Sequence, residues 1–229
     1  MASTLGHGRE LDTTGYLWTW DDLPPADDGP LDPARLRALF GFEDPARPLE
    51  LEIGSGKGTF LVSYGSAHPE LDVLGIEYAR AFCRYAADRV RRHALPNARL
   101  LYGEASSFLK LYVPERSLRQ VHVYFPDPWP KKRHHKRRFV CEANLRLLHG
   151  LLRDPSGGDA EAGRVRIATD HADYFAWMEE AASAVGEAFD RLDFEPPGSG
   201  AGDELVGTNF ERKYRREGRS FYGMILRKR

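Results

Sequence analysis

From position 49 onward the apolar and polar positions alternate between two rhythms. Short apolar-rich runs bounded by glycine, proline or polar residues predict strands at Leu49–Ile53, Asp72–Glu77, 99–102, 121–125, Arg164–Thr169, 189–194 and 220–227. Between them the spacing turns helical, over 58–67, over 79–93 through Phe82, Ala86 and Val90, over 140–152 and over 173–185. Strands alternating with helices predict an α/β fold, a doubly wound and mainly parallel seven-stranded sheet with helices on both faces. Two Gly-rich stretches, 155–163 and 196–207, read as loops.

Residues 1–48 follow neither rhythm for most of their length, so they read as an N-terminal arm with a short helix, and 49–229 as the main domain. Asp32 is placed as an N-cap with Pro33 at the first helical position, and Leu36, Leu39 and Phe40 share one face. Tyr16, Trp18 and Trp20 are the arm residues expected to pack down.

Composition changes this picture little. The 229 residues are 41% hydrophobic and 29% charged, enough to bury a core. A net charge of −1 argues against a protein that coats nucleic acid indiscriminately, but the charge is unevenly placed. Residues 1–50 carry ten acids against four Lys/Arg, whereas 131–138 holds six Lys/Arg, two histidines and no acid. Cys83 and Cys141 match no metal or redox spacing, and no metal site is expected. With no signal-type apolar segment and no membrane-length run, the expectation is a cytoplasmic protein with reduced thiols.

The first strand of the domain runs into Glu52-Ile53-Gly54-Ser55-Gly56-Lys57-Gly58. Glycines here let the backbone turn tightly against a ligand, and ligands of such sheets bind beyond the carboxyl ends of the strands. A phosphate-binding P-loop requires glycine where Leu51 stands, and usually a hydroxyl where Gly58 stands. A dinucleotide fingerprint requires its third glycine one residue later. The E-x-G-x-G-x-G form, with Glu77 ending the second strand, fits S-adenosylmethionine best, its carboxylate meeting ribose hydroxyls. Glu104, after the third strand, either reaches the adenine side or stabilises a helix N-terminus.

The fourth strand leads into Phe125-Pro126-Asp127-Pro128-Trp129-Pro130, where three prolines predict a stiff loop. Asp127 falls where the sulfonium methyl would lie, and the cationic run 131–138 attached to it suits phosphate contacts. At these residues the chain resembles the bacterial tRNA (guanine-N7-)-methyltransferase family. The shared text is F-P-D-P-W-P-K-K-R-H-x-K-R-R, with L-E-I-G-S-G-K-G at 51–58, G-I-E at 75–77, A-T-D at 168–170 and T-x-F-E from Thr208 to Glu211.

The resemblance, over roughly 49–229, implies a Rossmann-like class I methyltransferase with its last strand antiparallel. It implies transfer from S-adenosylmethionine to N7 of a guanine in the variable loop of tRNA. By position, Glu52, Gly54, Gly56, Glu77, Glu104 and Asp127 would line the cofactor, with Asp127 also the catalytic residue. Lys131, Asp170, Thr208, Asn209, Phe210 and Glu211 would contact the substrate, and Arg133, His134, His135, Lys136, Arg137 and Arg138 the RNA. Glu104 departs from the family's usual Asp or Asn, and Asn209 from its common Lys. Trp129 and Phe210 are candidate stacking platforms for an unstacked base, and Arg212, Lys213, Arg215, Arg216 and Arg219 would extend the RNA track. No DNA or membrane partner is expected, and the enzyme is expected to be a monomer or homodimer. The rivals are a methyltransferase acting on an exocyclic amine of RNA and a non-catalytic RNA-binding module on the same fold.

Overall fold

Leu51, Val123 and Ile167 lie at the middle of three adjacent strands and are buried, because helices cover both faces of their sheet. The computed structural model describes residues 10–26, 29–155, 158–199, 204 and 206–229. Its strands are β1 (Leu17–Trp18), β2 (Leu49–Ile53), β3 (Asp72–Glu77), β4 (Ala98–Tyr102), β5 (Leu118–Tyr124), β6 (Arg164–Thr169), β7 (Phe189–Asp193) and β8 (Tyr222–Lys228). The order across the sheet is β1-β4-β3-β2-β5-β6-β8-β7. Pairings from β1 to β6 are parallel, and β8 runs antiparallel between β6 and β7.

The period of two along each strand divides the core. On one face α2 (Thr59–Ala67) and α3 (Arg80–Arg92) set Phe60, Leu61, Ala86 and Val90 against Val73, Ala98 and Leu100. On the other, α1 (Pro33–Leu39), α4 (Ala105–Tyr112), α5 (Glu142–Leu151) and α6 (Ala172–Ser183) set Leu36, Phe108, Leu145 and Met178 against Leu51, Val123 and Ile167. Asp32 caps α1 as its sequence position predicts, accepting from the amides of Ala34 and Arg35 at 3.0 and 2.9 Å.

The sheet has eight strands where the sequence pattern predicts seven. The extra one comes from the arm, where Leu17 and Trp18 pair with Leu100 and Leu101 at the sheet edge. Trp20 follows, its indole packed on Tyr112 at 5.7 Å and lying where a Cβ on Gly103 would be. Two helices also go beyond the predicted pattern, α4 and α7 (Asn209–Arg216), and 132–137 forms a 3-10 helix rather than an open loop. The chain builds leftward from β2 through β3 to β4, then rightward through β5 and β6. The order therefore reverses between β2 and β5, and the carboxyl ends of those strands form the crevice in which such sheets bind ligands.

Candidate active site

The turn leaving β2 has positive φ at Gly54, Gly56 and Gly58 (79°, 53° and 68°), a conformation that side chains with a Cβ disfavour. Gly54 N–H donates to the Ile76 carbonyl at 2.8 Å, which folds the turn over the end of β3. At Gly58 a Cβ would come within 2.8 Å of Ala86 Cβ, so glycine also lets α2 and α3 approach. The Glu77 carboxylate accepts from the Gly56 amide at 2.7 Å and from the Ala79 amide at 2.7 Å. Burial raises its pKa despite those two amides, and the Asp127 charge pushes it further up. Glu77 and Asp127 therefore face the same crevice from opposite sides of the switch point.

Glu52 is buried at 3% exposure, and its Oε2 has no hydrogen-bond partner among the described residues. Burial lifts its pKa to about 8, with the Glu77 charge adding to the effect and Ser55 opposing it. An uncompensated acid at the floor of a cleft of about 720 Å3 is a site prepared for a cationic group. Its neighbour on the same strand face, Glu50, is also buried but satisfied. His122 Nε2 lies 2.7 Å from it, Tyr64 donates to it at 2.9 Å, and Arg119 pairs with it. Burial pushes His122 towards its neutral form, so its Nε2–H donates to Glu50 and Nδ1 accepts the Tyr124 hydroxyl at 2.8 Å. This chain of bonds fixes the end of β5 just before the proline-rich loop.

That loop is rigid for reasons beyond its prolines. Phe125 and Trp129 hold positive φ (50° and 44°), which costs each on the order of 1–3 kcal/mol and needs support from its surroundings. Phe125 is anchored by its amide bond to the Ala168 carbonyl and by the rings of Tyr214 and Phe221 at 6.2 and 5.6 Å. Trp129 is held by His134 at 5.8 Å and by the Arg137 guanidinium, 4.8 Å from its ring centre. Asp127 stands exposed between the two anchors. Downstream, Lys131, Lys132, Arg133, Lys136 and Arg137 are all exposed, and none has an acid partner among the described residues. His134 and His135 are half-buried, the latter against Trp177 at 5.5 Å.

Arg138 corrects the sequence expectation of an RNA contact. It is 5% exposed, donates to the Pro128 carbonyl at 2.9 Å, and stacks on Tyr174 and Trp177 at 4.7 and 5.1 Å. Its charge braces the loop from behind and is not offered to a phosphate. Glu211 is likewise turned inward. Fully buried, it accepts from the amides of Val206 and Gly207 at 2.9 Å each and pairs with Arg215 at 3.0 Å, so it closes the turn before α7 rather than meeting a substrate. Thr208 caps α7 by accepting from the Glu211 amide at 3.0 Å, and it lines the cleft.

Most of the expected α7 track is neutralised. Arg212 pairs with Glu204, Lys213 and Arg219 with Glu217, and Arg219 also with Asp170 at 2.7 Å. Asp170 thus sits at the crevice already engaged. The side chains of Asn209 and Phe210 lie outside the described residues. Glu104 is the N-cap of α4, accepting from Ser106 and Ser107 at 2.9 and 2.7 Å. Burial raises its pKa, but the bonds from Ser107 and Ser106 outweigh this and hold it below the ordinary value. One residue not singled out from the sequence stands beside Glu77. Tyr78 is 74% exposed, an aromatic side chain open to solvent just after the end of β3. Its only sequence signal is its place after the strand-ending acid.

A ligand that is cationic at one end and a nucleoside at the other matches this distribution of carboxylates, with Glu52 beneath the glycine turn and Glu77 and Glu104 at successive strand ends. Fold and site together are those of a class I methyltransferase that uses S-adenosylmethionine. More narrowly, the chain belongs to the tRNA (guanine-N7-)-methyltransferase family. A family model described as "Putative methyltransferase" matches residues 46–224. The tRNA (guanine-N(7)-)-methyltransferase of Rhodopirellula baltica is 34% identical over 224 residues, covering 96% of this chain and 76% of that one. The enzyme of the same name from Alkalilimnicola ehrlichii is 36% identical over 231 residues, 99% of this chain and 88% of that one. Among solved structures, an antibiotic-related methyltransferase superposes with a TM-score of 0.54 at 15% identity, over 90% of this chain and 99% of that one, a likeness of fold.

Proposed function

We infer that this protein transfers a methyl group from S-adenosylmethionine to N7 of a guanine in tRNA, and we place that guanine in the variable loop. The observation that carries the reading is the continuity of one surface. Asp127 stands at the switch point opposite Glu77, and five exposed cations without an acid partner among the described residues begin four residues later. A reaction centre joined to a phosphate-binding run fits a polyanionic substrate delivered as a single base. A tRNA substrate also fits the cytoplasmic location expected from the sequence.

Bound here, S-adenosylmethionine supplies an electrophilic methyl group on a sulfonium. The unpaired Glu52 carboxylate fits the cationic methionine end, Glu77 the ribose hydroxyls and Glu104 the adenine, with the exposed Tyr78 ring beside Glu77 as a cover. Guanine N7 carries a lone pair and no proton, so no strong base is needed. What the protein must do is align N7 and stabilise the positive charge that develops on the ring. Asp127 accepts hydrogen bonds from the N1–H or the exocyclic amine, which holds the base and favours that charge. Asp170, Thr208 and Lys131 complete the substrate pocket, and the exposed cations from Lys131 to Arg137 hold the backbone.

The test is incubation with unmodified tRNA and S-adenosylmethionine, followed by nucleoside mass spectrometry and mapping. 7-Methylguanosine confined to the variable loop is expected. A methylated exocyclic amine would replace N7 transfer as the chemistry of this site. Tight binding of tRNA and cofactor with no methylated product would leave a binding module.

A further inference from the structure

Helix α7 ends in a turn that carries one side chain back towards the reaction centre. Glu217 closes the helix and Gly218 holds positive φ (69°). The amides of Gly218 and Arg219 then donate to the carbonyls of Arg215 and Tyr214 at 3.0 Å each, a left-handed cap that sets Arg219 over Tyr214. The Arg219 guanidinium lies 4.2 Å from the centre of the Tyr214 ring. Its Nη1 donates to Asp170 and its Nη2 pairs with Glu217, each at 2.7 Å. One face of the plane is covered and its edges are tied, yet the side chain keeps 46% exposure, so the outer face is the open one.

The sheet register brings this plane to the reaction centre. β5 and β6 pair with Tyr124 beside Ala168, so Asp170 leaves β6 level with Pro126, next to Asp127. Tyr214 packs on Phe125 at 6.2 Å. Burial raises its pKa, and the charges of Asp170 and Asp127 both add to the rise. With Asp170 and Glu217 on it, Arg219 is spent as a phosphate anchor, but a guanidinium plane also stacks on bases. The same two carboxylates offset its charge, so positive charge developing on a stacked purine is not opposed. Arg137 also overlies a ring, that of Trp129, but no carboxylate among the described residues fixes its edges.

We propose that the outer face of Arg219 is the platform on which the unstacked target guanine lies, with Tyr214 behind it and Asp127 at the edge of the base. The inference rests on the tRNA reading above and adds to it a substrate contact just beyond α7. It gives Arg219 the stacking role expected from the sequence of Trp129 or Phe210.

The experiment measures binding of two unmodified tRNA transcripts, one intact and one with an abasic site at the guanine that mass spectrometry maps as the target. Arg219→Ala is expected to bind the intact transcript about tenfold more weakly than the wild type, the order of a lost base stack, and the abasic transcript equally well. Its salt slope is expected to match the wild type, since no phosphate contact is lost. Arg219→Lys keeps the charge facing Asp170 but has no plane, so it is expected to recover little of the loss. Full recovery in Arg219→Lys would leave Arg219 only a partner that holds Asp170, and would overturn the proposal. So would an equal loss on both transcripts, or a flattened slope in folded Arg219→Ala, since either places the residue on the backbone. Wild-type protein that methylates no guanine of tRNA would overturn the underlying reading, and this proposal with it. A wild type that methylates guanine, with Arg219→Ala binding both transcripts as the wild type does, would overturn this proposal alone.

Discussion

Glu50 and Glu52 lie two residues apart on the same face of β2, both buried, and are held in opposite protonation states. His122 and Arg119 outweigh the cost of burial at Glu50 and keep its pKa below the ordinary value. Glu52 lacks such partners and is pushed up to about 8. The same substitution should therefore act oppositely at the two positions. Glu50→Gln removes the charge that Arg119 and His122 face and is expected to cost about 3–5 kcal/mol in urea unfolding, the usual result of breaking a buried pair. At Glu52 the folded pKa is raised, so its contribution to stability is fully present below the unfolded pKa of about 4.5 and is lost as pH rises towards 8. Wild-type protein without cofactor should lose stability relative to Glu52→Gln between pH 5 and pH 8.5. Parallel pH profiles for the two proteins would show that Glu52 does not titrate in this window.

Binding a cation beside Glu52 should reverse its shift. If the methionine end of S-adenosylmethionine occupies that position, the carboxylate ionises on binding and a proton is released. Calorimetry at pH 7 in buffers of different ionisation enthalpy is expected to show release approaching one proton in the wild type and close to none in Glu52→Gln. A binding enthalpy independent of buffer in the wild type would mean that the cofactor does not pair with this acid.

Where the sequence speaks plainly, it does so through punctuation. Leu49–Ile53, Asp72–Glu77 and Arg164–Thr169 have the same bounds in the structure as in the sequence pattern, because charged residues, prolines or turn residues mark both ends. β1 is invisible there because two residues, Leu17 and Trp18, carry no period, and their strand exists only through pairing with β4. α7 is hidden because NFERKYRR holds a single apolar pair, Phe210 and Tyr214, among charged residues, too little to set a helical period, although its Thr208 cap and Glu211 both belong to the T-x-F-E motif. The acids of the site are legible from strand ends. Their states are not, since nothing in LELEI says that one glutamate meets His122 while the other keeps an oxygen without a partner among the described residues. The inward turn of Arg138 is hidden for the same reason. In a run of eight basic or histidine residues, the one that turns inward is chosen by Tyr174 and Trp177, far along the chain.

That inward turn separates two effects that a simple basic run would merge. Replacing Lys131, Lys132, Arg133, Lys136 and Arg137 with alanine is expected to leave the melting temperature nearly unchanged, since all five are exposed and Arg137 only overlies Trp129. The same variant should flatten the salt dependence of tRNA binding by about 0.7–0.9 for each phosphate that is no longer neutralised. Arg138→Ala should do the reverse. Losing two stacked rings and the bond to the Pro128 carbonyl is expected to cost about 2–4 kcal/mol of stability, with the salt slope retained. A flattened slope in folded Arg138→Ala would return that residue to the RNA surface.

Asp127 is fixed by its frame and carries no structural duty of its own. Phe125 and Trp129 are strained into place on either side of it, while its own side chain is exposed. Its replacement should therefore leave folding intact and register in the chemical step. Asp127→Ala is expected to lower kcat by about 10²–10³, corresponding to about 3–4 kcal/mol in the barrier, with a smaller change in KM for tRNA. Asp127→Asn keeps a carbonyl acceptor but loses the charge, so it should fall between the wild type and alanine. If the carboxylate only oriented the base, asparagine would recover most of the rate; if its charge supports the cationic ring, asparagine would stay close to alanine. Single-turnover rates with saturating cofactor separate these cases from slow product release. Unchanged turnover in Asp127→Ala would remove Asp127 from the reaction and shift attention to Asp170, the acid that follows β6, which Arg219 holds in place from beyond the end of α7.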